Sequence, residues 1–277
     1  MEEKTAVARN QNQIVFRILA VVFALLGWFM LMGLSEGLEP WIPGGLGAAV
    51  GEEMRFFGAV HGALIGILFN FSLLAMLRRP LEKPLLLRFY IVGHVLFLVT
   101  LAATDPSLAL QRAFVFILFA IVMTSLYAAY GKRREMVKPA PPLRRNRGML
   151  VMAVLATIGL LPFLVLGVIG QFQETELQFR WGEGAALSVV MMYGGFLAAD
   201  GRPGSRALGL ILAAAYLYLG AASLAVPGHP GSWGLSGGAA AIGYGLALGA
   251  VTLRTKPAAT SESDILGGHP QMTKELS

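Results

Sequence analysis

The chain has 277 residues, of which 56% are apolar and 14% are charged, and its mean hydropathy is +0.65. A soluble domain carries about 25% charged residues, and here the apolar residues fall in long runs, so a water-soluble globule is excluded. The sequence contains no cysteine, which excludes disulfides, a thiol nucleophile and cysteine-ligated zinc or iron–sulfur clusters. The net charge of +6 is compatible with nucleic-acid binding, but the positions of the basic residues, described below, argue against it.

Apolar stretches long enough to cross a bilayer recur along the whole chain. A membrane-spanning helix needs about 20 mostly apolar residues. Eight stretches are predicted to be such helices, at residues 14–34, 56–77, 85–103, 113–130, 149–170, 185–199, 207–225 and 233–253. The sequence therefore predicts an all-α polytopic bundle of about eight transmembrane helices, without the broken, charge-lined helices typical of secondary transporters.

The basic residues predict the orientation of this bundle. If the N-terminus is cytoplasmic, 19 of the 22 Lys and Arg residues lie on the inner side, and only Arg55, Arg112 and Arg180 lie elsewhere. This is the asymmetry expected of a membrane protein whose positive loops face the cytoplasm. The outer segments are predicted to be acidic, with Glu36, Glu39, Glu52, Glu53, Asp105, Glu174, Glu176 and Glu183. We therefore expect a bacterial inner-membrane protein with both termini cytoplasmic, whose basic segments contact lipid headgroups rather than nucleic acid.

A basic central segment divides the chain into two halves of similar layout. Each half has a span, a long acidic outer loop, a span, a short basic inner turn, a span, a short outer turn and a final span. The predicted organisation is a first four-helix unit at 1–131, a cytoplasmic loop at 132–148, a second unit at 149–256 and a disordered cytoplasmic tail at 257–277. The alternative is that alternating loops make any eight-span protein look duplicated.

One motif resembles a known family. The run EEMRFFGAVHG, from Glu52 to Gly62, opens the second span after a long acidic loop. It is similar to the acid-x-Arg and Gly-rich opening of small four-span bacterial membrane proteins of the DoxX-like type. The resemblance covers about residues 14–130, and residues 149–253 are a candidate second copy in which Glu183 and Gly194-Gly195 match. It implies a four-helix unit and, for some members, a link to quinone or sulfur redox chemistry, whereas His61 and the doubled length depart from the family's pattern.

Small residues at helical spacing predict close helix contacts. Lipid is as apolar as leucine, so membrane helices associate largely where small side chains let their backbones approach. Gly58, Gly62 and Gly66 form such a stripe in the second span, and a second stripe runs from Gly237 to Gly249 in the eighth. Both stripes are expected at helix–helix interfaces.

Ionisable residues inside spans are the candidates for function. His61 and His94 are predicted to lie about 8 Å and about 14 Å below the outer membrane edge on consecutive helices. They either hydrogen-bond within the bundle, belong to a ligand or proton path, or ligate a haem. The outer mouth of such a path would carry Glu52, Glu53, Arg55, Asp105 and Arg112, and the second half is expected to contribute nothing to it.

Two interpretations of function follow from these residues. In the first, the chain is a non-enzymatic membrane protein that acts as a scaffold, as an accessory subunit beside other membrane subunits, or as a binder of lipophilic small molecules, with no cofactor and no metal. In the second, it is a haem- or quinone-linked redox module, or a transporter, that uses His61 and His94.

Overall fold

The computed structural model describes residues 2–44, 51–137, 145–174 and 177–255, and within these every regular element is helical. The basic segment at 138–144 and the tail from 256 onward lie outside the described residues. Eight apolar helices correspond to the eight predicted stretches. They are α1 (Gln11–Met30), α2 (Glu52–Leu77), α3 (Pro84–Thr104), α4 (Ala113–Ala129), α5 (Arg147–Gln173), α6 (Arg180–Ala199), α7 (Ser205–Ala225) and α8 (Gly234–Arg254). The predicted all-α helical bundle is confirmed.

Seven of these helices are long and apolar enough to cross a membrane, and α4 is the shorter one. Its 17 residues extend about 26 Å, whereas the hydrocarbon core of a bilayer is about 30 Å thick. An eight-span topology therefore requires the bilayer to thin slightly around α4, which costs only a fraction of a kcal/mol per ångström.

The helices form one body in which α2 and α6 are central. Two thirds of the most apolar part of each, 67%, is buried in the protein, compared with 22% for α1 and α8 and 28% for α5. The two halves of the chain pack directly against each other, because Phe89 of α3 stacks on Tyr193 of α6 with ring centroids 6.3 Å apart. The predicted halves are thus joined by a shared core, in which Leu86, Phe89 and Val190 are fully buried.

The first helix ends earlier than predicted, and a non-helical segment follows it inside the bundle. A π-helical turn at Leu26–Met30 closes α1, and Met32 has a left-handed φ of 59°. The chain then runs through a short 3₁₀ turn at Glu36–Leu38. We call residues 31–40 the re-entrant segment. This non-helical backbone enters the bundle and continues toward the N-terminal end of α2, because Gly33 packs at Gly66 and Gly37 packs at Gly62. The predicted first span, at about residues 14–34, therefore extends four residues beyond the end of α1 at Met30.

The glycine stripe of α2 makes room for this segment rather than for another helix. A Cβ on Gly62 would lie 2.5 Å from the Cα of Gly37, and a Cβ on Gly66 would lie 2.9 Å from the carbonyl oxygen of Gly33. The prediction of close backbone contact is confirmed, but the partner is wrong, because the residues after Met30 leave the helical path and fill the groove.

The glycine stripe of α8 behaves as predicted. A Cβ on Gly245 would lie 3.0 Å from the carbonyl oxygen of Ala213 in α7, and a Cβ on the neighbouring Gly238 would lie 2.9 Å from the carbonyl oxygen of Gly220. The stripe therefore lies at a helix–helix interface, where the backbones of α7 and α8 approach closely.

The turn between α2 and α3 is held by a lysine. Arg79 adopts a left-handed φ of 59°, and Lys83 donates from Nζ to the carbonyls of Ala75, at 2.5 Å, and Arg78, at 3.1 Å. These carbonyls belong to the last turn of α2 and the residue after it, where a cation complements the helix dipole. Partial burial, followed by the neighbouring Arg78 charge, lowers the pKa of Lys83.

Candidate functional site

A chain of four alternating charges lies between the two halves, with its two acids buried and its two bases half-buried. Arg180 of α6 donates to both carboxylate oxygens of Glu36, with Nη1–Oε2 at 2.6 Å and Nη2–Oε1 at 3.1 Å. The same Nη1 lies 3.6 Å from Oε2 of Glu183, one turn further along α6. Glu183 Oε1 in turn lies 3.2 Å from Nδ1 of His61 in α2. Acidic and basic side chains thus alternate in space. We call this series the ion chain, and its members in order are Glu36, Arg180, Glu183 and His61.

The hydrogen bonds of His61 determine how many protons the ion chain holds. Nε2 lies 2.7 Å from the carbonyl oxygen of Leu31, and a carbonyl only accepts, so Nε2 carries a proton. Nδ1 faces a Glu183 oxygen. One proton shared between these two atoms forms their hydrogen bond, whether it resides on the imidazole or on the carboxyl. With that proton present the ion chain is electrically neutral, which is the condition under which charges tolerate burial.

The ion chain and its neighbours also satisfy the backbone of the re-entrant segment. Irregular backbone is tolerated at membrane depth only where protein or water satisfies its polar groups. Besides the bond from His61 to Leu31, the Tyr218 hydroxyl of α7 donates to the Gly37 carbonyl at 2.6 Å. Arg55 donates to the carbonyls of Glu39, at 3.0 Å, and Pro40, at 2.7 Å. Side chains from both halves of the protein therefore hold this segment in place.

The predicted mouth residues of α2 lie at its N-terminal end and make different contacts. Arg55 donates hydrogen bonds to the re-entrant segment. It also forms an ion pair with Glu52, with Nη1–Oε1 at 2.7 Å. Glu52 also lies 3.5 Å from His229 Nε2. Both Glu52 and Glu53 are exposed. Of these three residues, Arg55 is the one that reaches the neighbourhood of the ion chain.

His94 lies apart from His61, at a different helix interface. It is buried in an aromatic group, with its ring stacked on Phe69 at 3.7 Å and 5.0 Å from the ring of Phe119. Its Nδ1 donates to the Tyr90 carbonyl at 2.7 Å, one turn back in α3. The hydrogen bond of His94 therefore stays within α3.

The pairing of His61 bears on the haem alternative. Both of its ring nitrogens are engaged, Nδ1 with Glu183 and Nε2 with Leu31, so His61 offers no lone pair to an iron in this arrangement. The two histidines do not form the facing pair that a haem with two axial histidines needs, and the haem alternative remains a prediction without geometric support.

Asp105 and Arg112 are also separate from the ion chain. Asp105 is buried and caps the short helix Pro106–Gln111, accepting from the Leu108 amide at 2.9 Å and the Ser107 hydroxyl at 2.8 Å. Arg112 is exposed at the start of α4. Asp105 thus has the role of a helix N-cap.

The second half contributes two of the four charges of the ion chain, which corrects the prediction that it contributes none. The predicted sixth span began at residue 185 and left Arg180 and Glu183 in an outer loop. In the structure α6 begins at Arg180, so that both side chains lie on its first turn, one helical turn apart. Glu36 and Glu39, predicted as outer-loop acids, are likewise buried, with 7% and 0% exposure.

A cavity of about 300 Å³ lies beside the ion chain, between α2, α5, α6 and the loop before α8. Aromatic rings dominate its walls. They include Phe57 of α2 against Trp181 of α6, with ring centroids 5.0 Å apart, and Phe163 of α5 against Trp233, at 5.1 Å. The polar lining comprises Gln173, Glu174, Ser188 and Ser232. A volume of this size, apolar walls and a few polar groups are characteristic of small-molecule sites.

The ion chain fixes two walls of this cavity. Val60 and Gly184 line it, and each is next in sequence to a member of the ion chain, His61 and Glu183. The bond between these two residues ties α2 to α6 at the level of the cavity. The ion chain therefore joins the two helices that contribute Val60 and Gly184 to the cavity.

Sequence reasoning missed the cavity residues and most of the ion chain. Trp181 and Trp233 were not singled out, because an aromatic residue near a span end is equally typical of an interfacial anchor. Arg180 did stand out as one of the three basic residues on the outer side, and that was the available signal for a buried partner. The acid it pairs with, Glu36, is 144 positions away, and no motif around Glu36 indicates such a partner.

No family model, curated protein or solved structure matches this chain. Its class therefore rests on the fold. The chain is a multi-pass helical membrane protein. Its described residues include seven helices long enough to span a bilayer, an ion chain between the two halves and an aromatic cavity beside that chain.

Proposed function

We propose that this protein binds a lipophilic small molecule in the aromatic cavity between α2, α5 and α6. The observation that carries the proposal is the cavity itself, which combines a volume of about 300 Å³ with walls from Phe57, Phe163, Trp181 and Trp233. An empty apolar volume forfeits packing contacts, and membrane helices depend on such contacts for association. A cavity kept open by a braced pair of helices is better explained by an occupant than by defective packing.

The proposal includes the setting predicted from the sequence. We place the protein in a bacterial inner membrane with both termini in the cytoplasm, so that the cavity lies in the outer half of the bilayer. The resemblance to DoxX-like proteins is part of the same proposal, and it is compatible with a lipophilic ligand such as a quinone.

A cavity-filling substitution tests the proposal. Gly184 lines the cavity, and a Cβ at this position meets no atom within 4 Å, so Gly184→Leu is expected to fill the space without distorting α6. The probe is N-phenyl-1-naphthylamine, an apolar dye, excited by energy transfer from the tryptophans of the protein in lipid nanodiscs. We expect the wild type to bind the dye saturably and Gly184→Leu to bind it about tenfold more weakly or worse, because leucine occupies the ligand volume.

Gly243→Leu is the matched control. Gly243 is a helical glycine of α8 that also meets no atom within 4 Å, and it is exposed outside the cavity. This variant should bind the dye as the wild type does. Equal binding by both variants, or no saturable binding by the wild type, would contradict the proposal and leave the scaffold or accessory-subunit interpretation.

A further inference from the structure

The charge distribution around the aromatic cavity narrows the class of ligand. Of the described residues that line it, Glu174 is the charged one, and lysine, arginine and histidine are absent from that lining. The neighbouring cation, Arg180, is already paired with Glu36 and Glu183. A ligand in the cavity therefore meets one negative charge and no free positive one.

The carboxylate of Glu174 is held at the mouth of the cavity by one of its aromatic walls. Trp181 Nε1 donates to Glu174 Oε2 at 2.8 Å. This bond fixes the acid beside the indole ring, which itself packs edge-on against Phe57 at 5.0 Å. The acid is exposed whereas the rings reach inward. The cavity is thus polar and anionic at its mouth and aromatic within.

Aromatic faces and a carboxylate recognise the same ligand chemistry. The face of an indole or phenyl ring is the negative end of its quadrupole, so it attracts a cation, and tryptophan attracts it most strongly. An anion in this cavity would meet Glu174 without a compensating free positive charge among the described lining residues. On these observations, and resting on the proposed function, we infer that the ligand is a lipophilic organic cation, with its apolar groups among the rings and its charge near Glu174.

Two ions of the same shape and opposite charge test this inference. Tetraphenylphosphonium is a lipophilic cation, and tetraphenylborate is the anion of matching geometry. Binding of each is measured to the full-length protein in nanodiscs, with empty nanodiscs subtracted to remove partitioning into lipid. We expect saturable binding of tetraphenylphosphonium that Gly184→Leu abolishes, and no saturable binding of tetraphenylborate.

The substitution Glu174→Gln removes the charge and keeps an oxygen that accepts from Trp181. It should weaken tetraphenylphosphonium binding about fivefold, as expected for one partly exposed charge, and leave binding of the apolar dye unchanged. Glu53→Gln is the control for general surface charge, because Glu53 is exposed at the same end of the protein and does not line the cavity. It should leave binding of both probes unchanged.

The outcomes separate the inference from the proposed function. If the dye binds and tetraphenylphosphonium does not, or if Glu174→Gln binds the cation as the wild type does, the cation inference is overturned and the binding function stands. Equal saturable binding of the borate overturns it as well. If neither the dye nor either ion binds, both proposals fail together.

Discussion

His61 has a different significance in the structure from the one its sequence position suggested. It lies nine residues from the N-terminal end of α2, about 14 Å along the helix, and both of its nitrogens are bonded. Its partner Glu183 is 122 positions away. The sequence could identify His61 as an ionisable residue within a span, but it could not identify a partner brought in by the packing of two distant helices.

The neutrality of the ion chain leads to a prediction for paired substitutions. His61→Leu removes one positive charge and leaves Glu183 undercompensated, so it should destabilise the protein by about 3–5 kcal/mol. The double variant His61→Leu with Glu183→Leu leaves Arg180 paired with Glu36 alone and should recover part of that loss. Thermal unfolding in detergent measures both. A double variant less stable than the single one would show that the charges do not act as a neutral set.

At the scale of elements, the re-entrant segment determines what packs against the glycines of α2. A helix that stops at Met30 exposes carbonyls that a continuous helix would pair internally, and the structure supplies donors from α2 and α7 instead. The glycines of α2 then contact the non-helical backbone of the re-entrant segment rather than another helix. The stripe predicted a close approach correctly, since the absence of Cβ atoms is a local property, but the identity of the approaching chain depends on the tertiary fold.

The bond from Tyr218 to Gly37 should control the opening of this segment. Tyr218→Phe removes the donor to a carbonyl in the re-entrant segment, and an unsatisfied buried carbonyl costs about 1–3 kcal/mol. We expect faster amide exchange in the peptide covering residues 31–40, measured by hydrogen–deuterium exchange with mass spectrometry.

Tyr216→Phe is the control on the same helix. The Tyr216 hydroxyl is buried and has no hydrogen-bond partner among the described residues, so its removal breaks no bond. Exchange in the re-entrant segment should then match the wild type. If the two variants exchange alike, the Tyr218 hydroxyl does not hold the segment.

The element boundaries show what sequence periodicity can and cannot establish. Apolar length predicted the existence of all eight helices, because a bilayer demands it of any spanning segment. It placed the start of α6 five residues late, at residue 185 rather than at Arg180, because charged residues at a helix end look like loop residues when their partners are unknown. The cavity had no sequence signal, since α5 and α6 enclose it only together with α2 and the loop before α8, which are distant in the chain.

At the scale of the whole molecule, the topology depends on α4. If this 17-residue helix spans the bilayer, residues on either side of it lie on opposite faces of the membrane. The wild type has no cysteine, so single cysteines at Ser107 and Gly131 report directly. We expect an impermeant thiol reagent to label Ser107→Cys in intact cells and Gly131→Cys only after the cells are lysed.

Two further single-cysteine variants are the controls for this labelling experiment. Gly228→Cys lies between α7 and α8 and should be labelled from outside, and Thr255→Cys follows α8 and should be protected. Labelling of both Ser107→Cys and Gly131→Cys in intact cells would mean that α4 does not cross, and the protein would then have seven spans.

The separation between Glu36 and Arg180 has a consequence for the order in which the protein is made. These residues are 144 positions apart, and chains are synthesised at about 5–20 residues per second, so the partner of Glu36 emerges about 7–30 s later. During that interval the first four helices are already in the membrane with a carboxylate awaiting its cation and a carbonyl of Gly37 awaiting Tyr218. We therefore expect the re-entrant segment to reach its final packing only when the C-terminal half supplies Arg180 and Tyr218.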